Sequence, residues 1–316
     1  MAQNLNIIID TDPGTDDALA LGVAAAVFKD NIRAVISSYG NVGGEQTHSN
    51  LVNIISLFKI DTNIIKGSQY PLENKSFTPT NYHGENGLCG LVIPVAKMAE
   101  YDGDFLQEIY DTIKKYGNIK YIAIGPLTNL ALLLERFPDS ADYINEAIIM
   151  GGGFEVSNMP HDTEFNFSVD PLAVKKVLES SLNKVIAPLD MTHKMAFSLT
   201  DIEEITGIKR ELLFNNNRAD DAFTALAKLL YLNHDTAVQH NEQGAIIHDA
   251  TTLVYLYDKS DKNDKIKCGV NQYKIISDEY GAVKKHTGVN AIGAFVIDEI
   301  DRDFMKSLLK ETFCEV

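Results

Sequence analysis

The sequence predicts an α/β protein built on one mainly parallel sheet flanked by helices, with its active site at the carboxyl ends of the strands. Three observations carry this expectation. Short apolar runs rich in isoleucine and valine alternate with longer helical stretches, as parallel strands joined by crossover helices require. Polar residues gather just after the apolar runs, where open parallel sheets bind ligands. No linker-like shift in composition, internal repeat or low-complexity segment divides the 316 residues, so 1–316 reads as one domain.

The first strand is Asn6 to Asp10, followed after a turn by Ala18 to Phe28, whose length and alanine content fit a buried helix. Ile32 to Ser38 is a strand, Gln46 to Phe58 a helix and Thr62 to Lys66 a strand. Further strands fall at Lys120 to Ile124, Ala147 to Met150 and Lys184 to Leu189, with helices at Asp104 to Tyr116, Leu127 to Arg136 and Pro171 to Ser180. The final third is less regular. Ala219 to Leu232 and Asp249 to Tyr257 look helical, while Lys265 to Ser277 alternates like an antiparallel hairpin arm. Asn233 to Ile247, rich in His, Asn and Gln, reads as a mobile loop near a site. A strand at Val289 to Val296 and a helix at Asp301 to Phe313 complete the pattern.

Composition narrows the function. Hydrophobic residues make up 45% and charged residues 23%, the mix of an ordinary globular protein. No apolar run reaches the ~18 residues of a membrane span, and the N-terminus carries no signal-type stretch, so a cytoplasmic location is expected. The formal charge of −16, from 44 acidic and 28 basic residues, opposes binding to nucleic acid or an anionic membrane. Cys89, Cys268 and Cys314 lie too far apart for a zinc site or a redox pair and are expected to be free thiols.

The densest chemistry is DTDPGTDDA, which places Asp10, Asp12, Asp16 and Asp17 around the Pro13-Gly14 turn. A helix start uses one or two caps, not four carboxylates, so a bound hard cation is the economical explanation. All-oxygen ligands favour calcium or magnesium over zinc. A DxD after the first strand also fits haloacid-dehalogenase-like phosphohydrolases, but these call for a downstream lysine and a second aspartate pair, and no convincing pair follows.

Seven segments, in order, decide between the two. DTDPGTDDALA, YGN at 39–41, HGENGL at 83–88, GPLTNLA at 125–131, MGGG at 150–153, EFNFSVDP at 164–171 and HDA at 248–250 together resemble the inosine-uridine-preferring nucleoside hydrolase family. The resemblance spans nearly the whole chain. It implies a Rossmann-like domain, a calcium ion at the strand ends, and hydrolysis of the N-glycosidic bond of ribonucleosides by water that Asp12 activates at the metal, through an oxocarbenium-like transition state. It also implies a homodimer or homotetramer.

Carried over motif by motif, the resemblance makes Asp12, Asp17 (through both oxygens), the backbone carbonyl of Thr128 and Asp249 the calcium ligands. Asp10 would stand behind them and hold Asp12. Asp16 and Asn41 match residues on the 2′ and 3′ side of the sugar; Asn158, Glu164 and Asn166 match those at its ring oxygen and 5′ side. Met150 and Asp249 join the substrate contacts. Carboxylates around the ribose suit a reaction whose positive charge develops only in the transition state. His248 is the candidate acid or leaving-group contact, with His83 opposite it on a loop.

The base pocket follows no known branch cleanly. There is no Trp to sandwich a purine, and the helix face before the HD pair offers Leu232, Thr236 and His240, with His234 also in reach of a base. A broad or pyrimidine-leaning preference is expected. A non-catalytic nucleoside-binding protein is the remaining alternative; it would be expected to lack Asp12 or Asp249, and both are present.

Overall fold

The computed structural model describes residues 5–73, 79, 81–97, 103–260, 267–288 and 291–315. Its strands are β1 (Asn6–Thr11), β2 (Ile32–Ser37), β3 (Asn63–Lys66), β4 (Ile119–Ala123), β5 (Ile144–Met150), β6 (Lys184–Ala187), β7 (Ala196–Phe197), β8 (Ala245–Ile246), β9 (Cys268–Ser277), β10 (Val283–Lys285) and β11 (Ile292–Ile300). Nine of them form one sheet in the order β10-β9-β11-β6-β5-β4-β1-β2-β3. Every pair from β3 across to β11 is parallel; β9 and β10 close one edge in antiparallel pairing. The mainly parallel sheet expected from the apolar runs is therefore present.

The strand sequences explain themselves once both faces are covered. In β1, Ile7 and Ile9 enter one core and Ile8 the other, so the run is apolar at every position. The first core is built from helices Thr15–Val27, Gly44–Leu57, Ala222–Gln239, Ala250–Ser260 and Arg302–Glu315; the second from helices Phe105–Tyr116, Thr128–Arg136 and Pro171–Glu179. Helix Thr15–Val27 is buried along most of its length because helices Ala222–Gln239, Ala250–Ser260 and Arg302–Glu315 all pack on it. A Cβ on Gly22 would stand 2.6 Å from the Leu226 side chain, so glycine is what lets the first two of these helices approach.

Boundaries move by a residue or two from the sequence expectation, as helix and strand ends usually do. One expectation fails: Asn233 to Ile247 is not a loop. Helix Ala222–Gln239 runs through its first half, because Leu226, Leu229, Leu230, Asn233 and Ala237 form a continuous buried stripe and the polar residues lie on the other faces. The second half holds a short turn and β8, which pairs with β7. Residues 265–266 and 289–290 of two expected strands lie outside the described residues. No described helix is long and apolar enough to cross a membrane.

Candidate active site

The ends of β1, β4, β5, β6 and β8 converge on a cavity of 630 Å³. Asp16, Asn41, His83, Met150, Asn158, Glu164, Asn166, His240, His248 and Asp249, all expected at the site, line it. Asp12 and Asp17 do not reach the wall. They are buried just beyond it, on the turn after β1 and in the first turn of the helix that follows.

Local structure fixes each group. Asp17 accepts from the Gly14 backbone N–H at 2.9 Å and so caps its own helix; the Asp12 N–H, the Thr11 hydroxyl and the Asn41 amide also donate to its two oxygens. Asn41 bridges this turn: its backbone N–H donates to Asp12 Oδ2 at 2.8 Å and its amide to the Asp12 carbonyl at 3.0 Å. Glu164 caps the short helix Phe165–Ser168 and accepts from the backbone N–H groups of Gly152, Asn166 and Phe167. Asn166 in turn donates to the carbonyls of Ile124 and Met150. His83 accepts from the Thr15 backbone N–H through Nδ1, which leaves Nε2 3.7 Å from Asp16.

Two glycines bring backbone against Asp12. A Cβ on Gly40 would lie 1.9 Å from its Oδ2, and one on Gly125 would lie 2.6 Å from its Oδ1. That Oδ1 is buried and has no hydrogen-bond partner among the described residues. Asp16, Asp17 and Asp249 each bring an oxygen within 4.8 Å of the others.

Such a group of acids cannot stay fully ionised unaided. Burial raises every one of them: Asp16 and Asp17 to about 6, Glu164 to about 7, Asp12 and Asp249 well above the carboxylate range, the last two also through the charges of their neighbours. No lysine or arginine lines the cavity among the described residues, so no such side-chain cation offsets this charge there. An all-oxygen donor set with one orphaned buried oxygen fits a hard divalent cation. The missing lysine also counts against the phosphohydrolase alternative.

Burial, with His193 and His83 nearby, pushes His248 down to about 3, so its ring is neutral. Its Nδ1 lies 2.8 Å from the Thr192 hydroxyl, which leaves Nε2 as the other polar edge of a ring that lines the cavity.

Four expectations are corrected. Thr128 opens helix Thr128–Arg136 with its hydroxyl on Asp170 at 2.7 Å, and it does not line the cavity; the strand-end residue that does is Ile124. Asp10 does not hold Asp12: it accepts from Tyr121 at 2.8 Å and Asn129 at 2.9 Å, tying β1 to β4 and the helix after it. Burial outweighs those two hydrogen bonds and raises Asp10 to about 7. Thr236 meets the Cys89 thiol at 3.4 Å instead of the cavity, and His234 sits beside Asp235. The sequence reading missed Ile124, Tyr82, His193, Asn233 and Glu242, all of them cavity residues. Tyr82 adjoins the HGENGL segment, Ile124 the GPLTNLA segment, and Asn233 and Glu242 fall in the polar stretch expected near a site; His193 carried no such signal.

The fold is that of an α/β protein whose strand ends carry a buried acidic cluster suited to a hard cation. The profile of the inosine-uridine preferring nucleoside hydrolase family matches residues 7–311, and the chain belongs to that family, whose members hydrolyse the N-glycosyl bond of nucleosides. It is 33% identical over 256 residues to the pyrimidine-specific ribonucleoside hydrolase RihA of Salmonella typhimurium, covering 80% of this chain and 79% of the relative. The RihA of Salmonella enteritidis matches over the same extent. In fold, a plant nucleoside hydrolase superposes with a TM-score of 0.84 at 22% identity, over 98% of this chain and 99% of the other. A purine-preferring ribonucleoside hydrolase from Gardnerella vaginalis gives 0.83, also at 22%, over 98% of each.

Proposed function

We propose that the protein is a calcium-dependent ribonucleoside hydrolase with a pyrimidine-leaning base preference, releasing ribose and free base. The carrying observation is the orphaned Oδ1 of Asp12, buried between Gly40 and Gly125 and next to the Asp16, Asp17 and Asp249 group. The 33% identity to pyrimidine-specific relatives supports the base preference. Assembly as a homodimer or homotetramer rests on the family likeness alone.

In this reading Asp12, Asp17 and Asp249, with the Ile124 carbonyl in place of Thr128, hold the cation. A divalent ion bound there would lower the pKa of water beside it. Asp12 would act as the general base, with the Gly40 and Gly125 backbones packed against its carboxylate. Asp16 and the Asn41 Oδ1 accept from the 2′ and 3′ hydroxyls, the Asn41 N–H groups being held by Asp12 and Asp17. Glu164, fixed by three backbone N–H groups, and Asn166 face the ring-oxygen side, with Asn158 and Met150 beside them, so negative potential surrounds the sugar as positive charge grows on it. The Thr192 hydroxyl pairs with His248 Nδ1, so Nε2 is the ring atom left for the departing base; in the tautomer where Nδ1 accepts, Nε2–H would serve as a neutral donor.

The test is release of free base from uridine, cytidine, inosine, adenosine and 2′-deoxyuridine, with and without a calcium chelator. Ribonucleosides should be cleaved only with calcium, and 2′-deoxyuridine at least about a hundredfold more slowly, since losing one hydroxyl leaves site groups unpaired. Chelator-resistant cleavage, or efficient cleavage of the deoxynucleoside, would overturn the proposal.

A further inference from the structure

Glu242 stands at the cavity with no role in the chemistry above. Helix Ala222–Gln239 ends at His240, and Asn241 adopts a left-handed φ of 63° that turns the chain so that the Glu242 backbone N–H closes on the Ala237 carbonyl at 2.9 Å. The side chain is then pinned: the Tyr82 hydroxyl donates to Oε2 at 2.9 Å, and the Tyr82 ring packs on His240 with centroids 4.8 Å apart. Folding gives no reason for a carboxylate here. It follows the C-terminus of a helix, where the dipole disfavours negative charge, and its charge acts on Asp16 within an already acidic cavity. No described lysine or arginine lines the cavity to offset it, and Oε1 has no hydrogen bond among the described residues.

We propose that Glu242 selects the nucleobase, accepting at Oε1 a hydrogen bond from an exocyclic amino group, so that cytidine is preferred to uridine. This rests on the ribonucleoside hydrolase reading and adds the substrate class within it. With the sugar held by Asp16, Asn41, Glu164 and Asn166, the base is left the remaining wall, which includes His83, Tyr82, His240 and Glu242 beside His248. There an amino group at C4 of a pyrimidine meets a lone acceptor. A carbonyl oxygen at C4 instead sets lone pair against lone pair, with a desolvated charge left unpaired. Tyr82 is a positioning residue: by occupying Oε2 it leaves a single acceptor, enough for one N–H.

The experiment compares kcat/KM for cytidine and uridine, and the Kd of each by calorimetry, in the calcium-loaded full-length protein and in Glu242→Gln and Tyr82→Phe. The wild type should favour cytidine about tenfold or more. Glu242→Gln keeps the size and can donate to a carbonyl, so it should reverse or level the ratio by raising uridine as well as lowering cytidine. Tyr82→Phe should weaken the preference without reversing it. A Glu242→Gln variant that loses both substrates in equal proportion, or a wild type indifferent to the base, overturns the assignment. The calorimetric preference separates the two readings: cytidine-selective binding without turnover sinks the hydrolase reading and leaves this one standing, while turnover without selectivity does the reverse.

Discussion

Asp12 shows how much electrostatic stress a single residue of this site carries. One of its oxygens is satisfied by the Asn41 N–H, the other by nothing, and both are hemmed in by glycine backbone. An unpaired carboxylate in such a place costs several kcal/mol unless it is protonated or meets a cation. Asp12→Asn should therefore separate function from folding. Turnover should fall by about three orders of magnitude, because the amide cannot take a proton and is a poor ligand for calcium. Thermal melts in chelator should show the variant at least as stable as the parent, since no buried charge is left to form. Activity within tenfold of wild type, or a large loss of stability in chelator, would contradict this account.

At the scale of elements, the site depends on how helices are anchored at the far side of the first core. Helix Leu199–Thr206 is opened by a reciprocal Ser198–Asp201 cap, and Asp201 also receives Arg302 and Lys306 from the C-terminal helix at 2.7 and 2.6 Å. Burial alone would raise the Asp201 pKa; the donors Lys306, Ser198 and Arg302 overcome it and hold the carboxyl below its ordinary 3.8. A depressed pKa of this kind contributes stability that is full above the unfolded value and is lost as pH falls through the folded one. Asp201→Asn should cost about 1 kcal/mol at pH 7, the scale of losing a cap and a partly exposed ion pair. The gap to wild type in urea midpoints should narrow progressively as pH falls below 3.8. A gap independent of pH would mean that packing, not charge, is what the substitution removes.

Across the whole molecule the carboxylates of the site pull the other way. Asp10, Asp16, Asp17 and Glu164 are raised to about 7, 6, 6 and 7, so the metal-free fold binds more protons than the unfolded chain between pH ~4 and 7. Their contribution to stability must then fall as pH rises through that window, and a cation that displaces the protons must reverse it. The expected result is a calcium-induced rise in Tm that is small near pH 4.5 and largest near pH 7.5. A rise that does not vary with pH would show that the ion binds elsewhere.

The same large scale explains what could be read in the sequence. The parallel strands were legible because two-sided burial leaves unbroken apolar runs such as Asn6 to Asp10, and the sugar side of the site because carboxylates and amides cluster after strand ends. Ile124 escaped because it would serve through a carbonyl that its apolar side chain does not advertise, and the motif pointed instead to Thr128, four residues further on at the start of the next helix. Helix Ala222–Gln239 was cut short because a narrow buried stripe through Asn233 and Ala237 is diluted by histidines and glutamine on its other faces. Glu242 and Tyr82 come from segments 160 residues apart, and only the tertiary structure joins them.

Helix Thr15–Val27 begins at the acidic cluster proposed to hold the cation, and helix Ala222–Gln239, packed on it through Gly22 and Leu226, finishes at the rim where the base would sit. Sugar handling and base choice are thus mounted on opposite-running members of one rigid pair. An engineer could exchange the final turn and the 240–244 segment to retune which base is accepted while leaving the hydrolytic floor untouched, and natural divergence has had the same freedom.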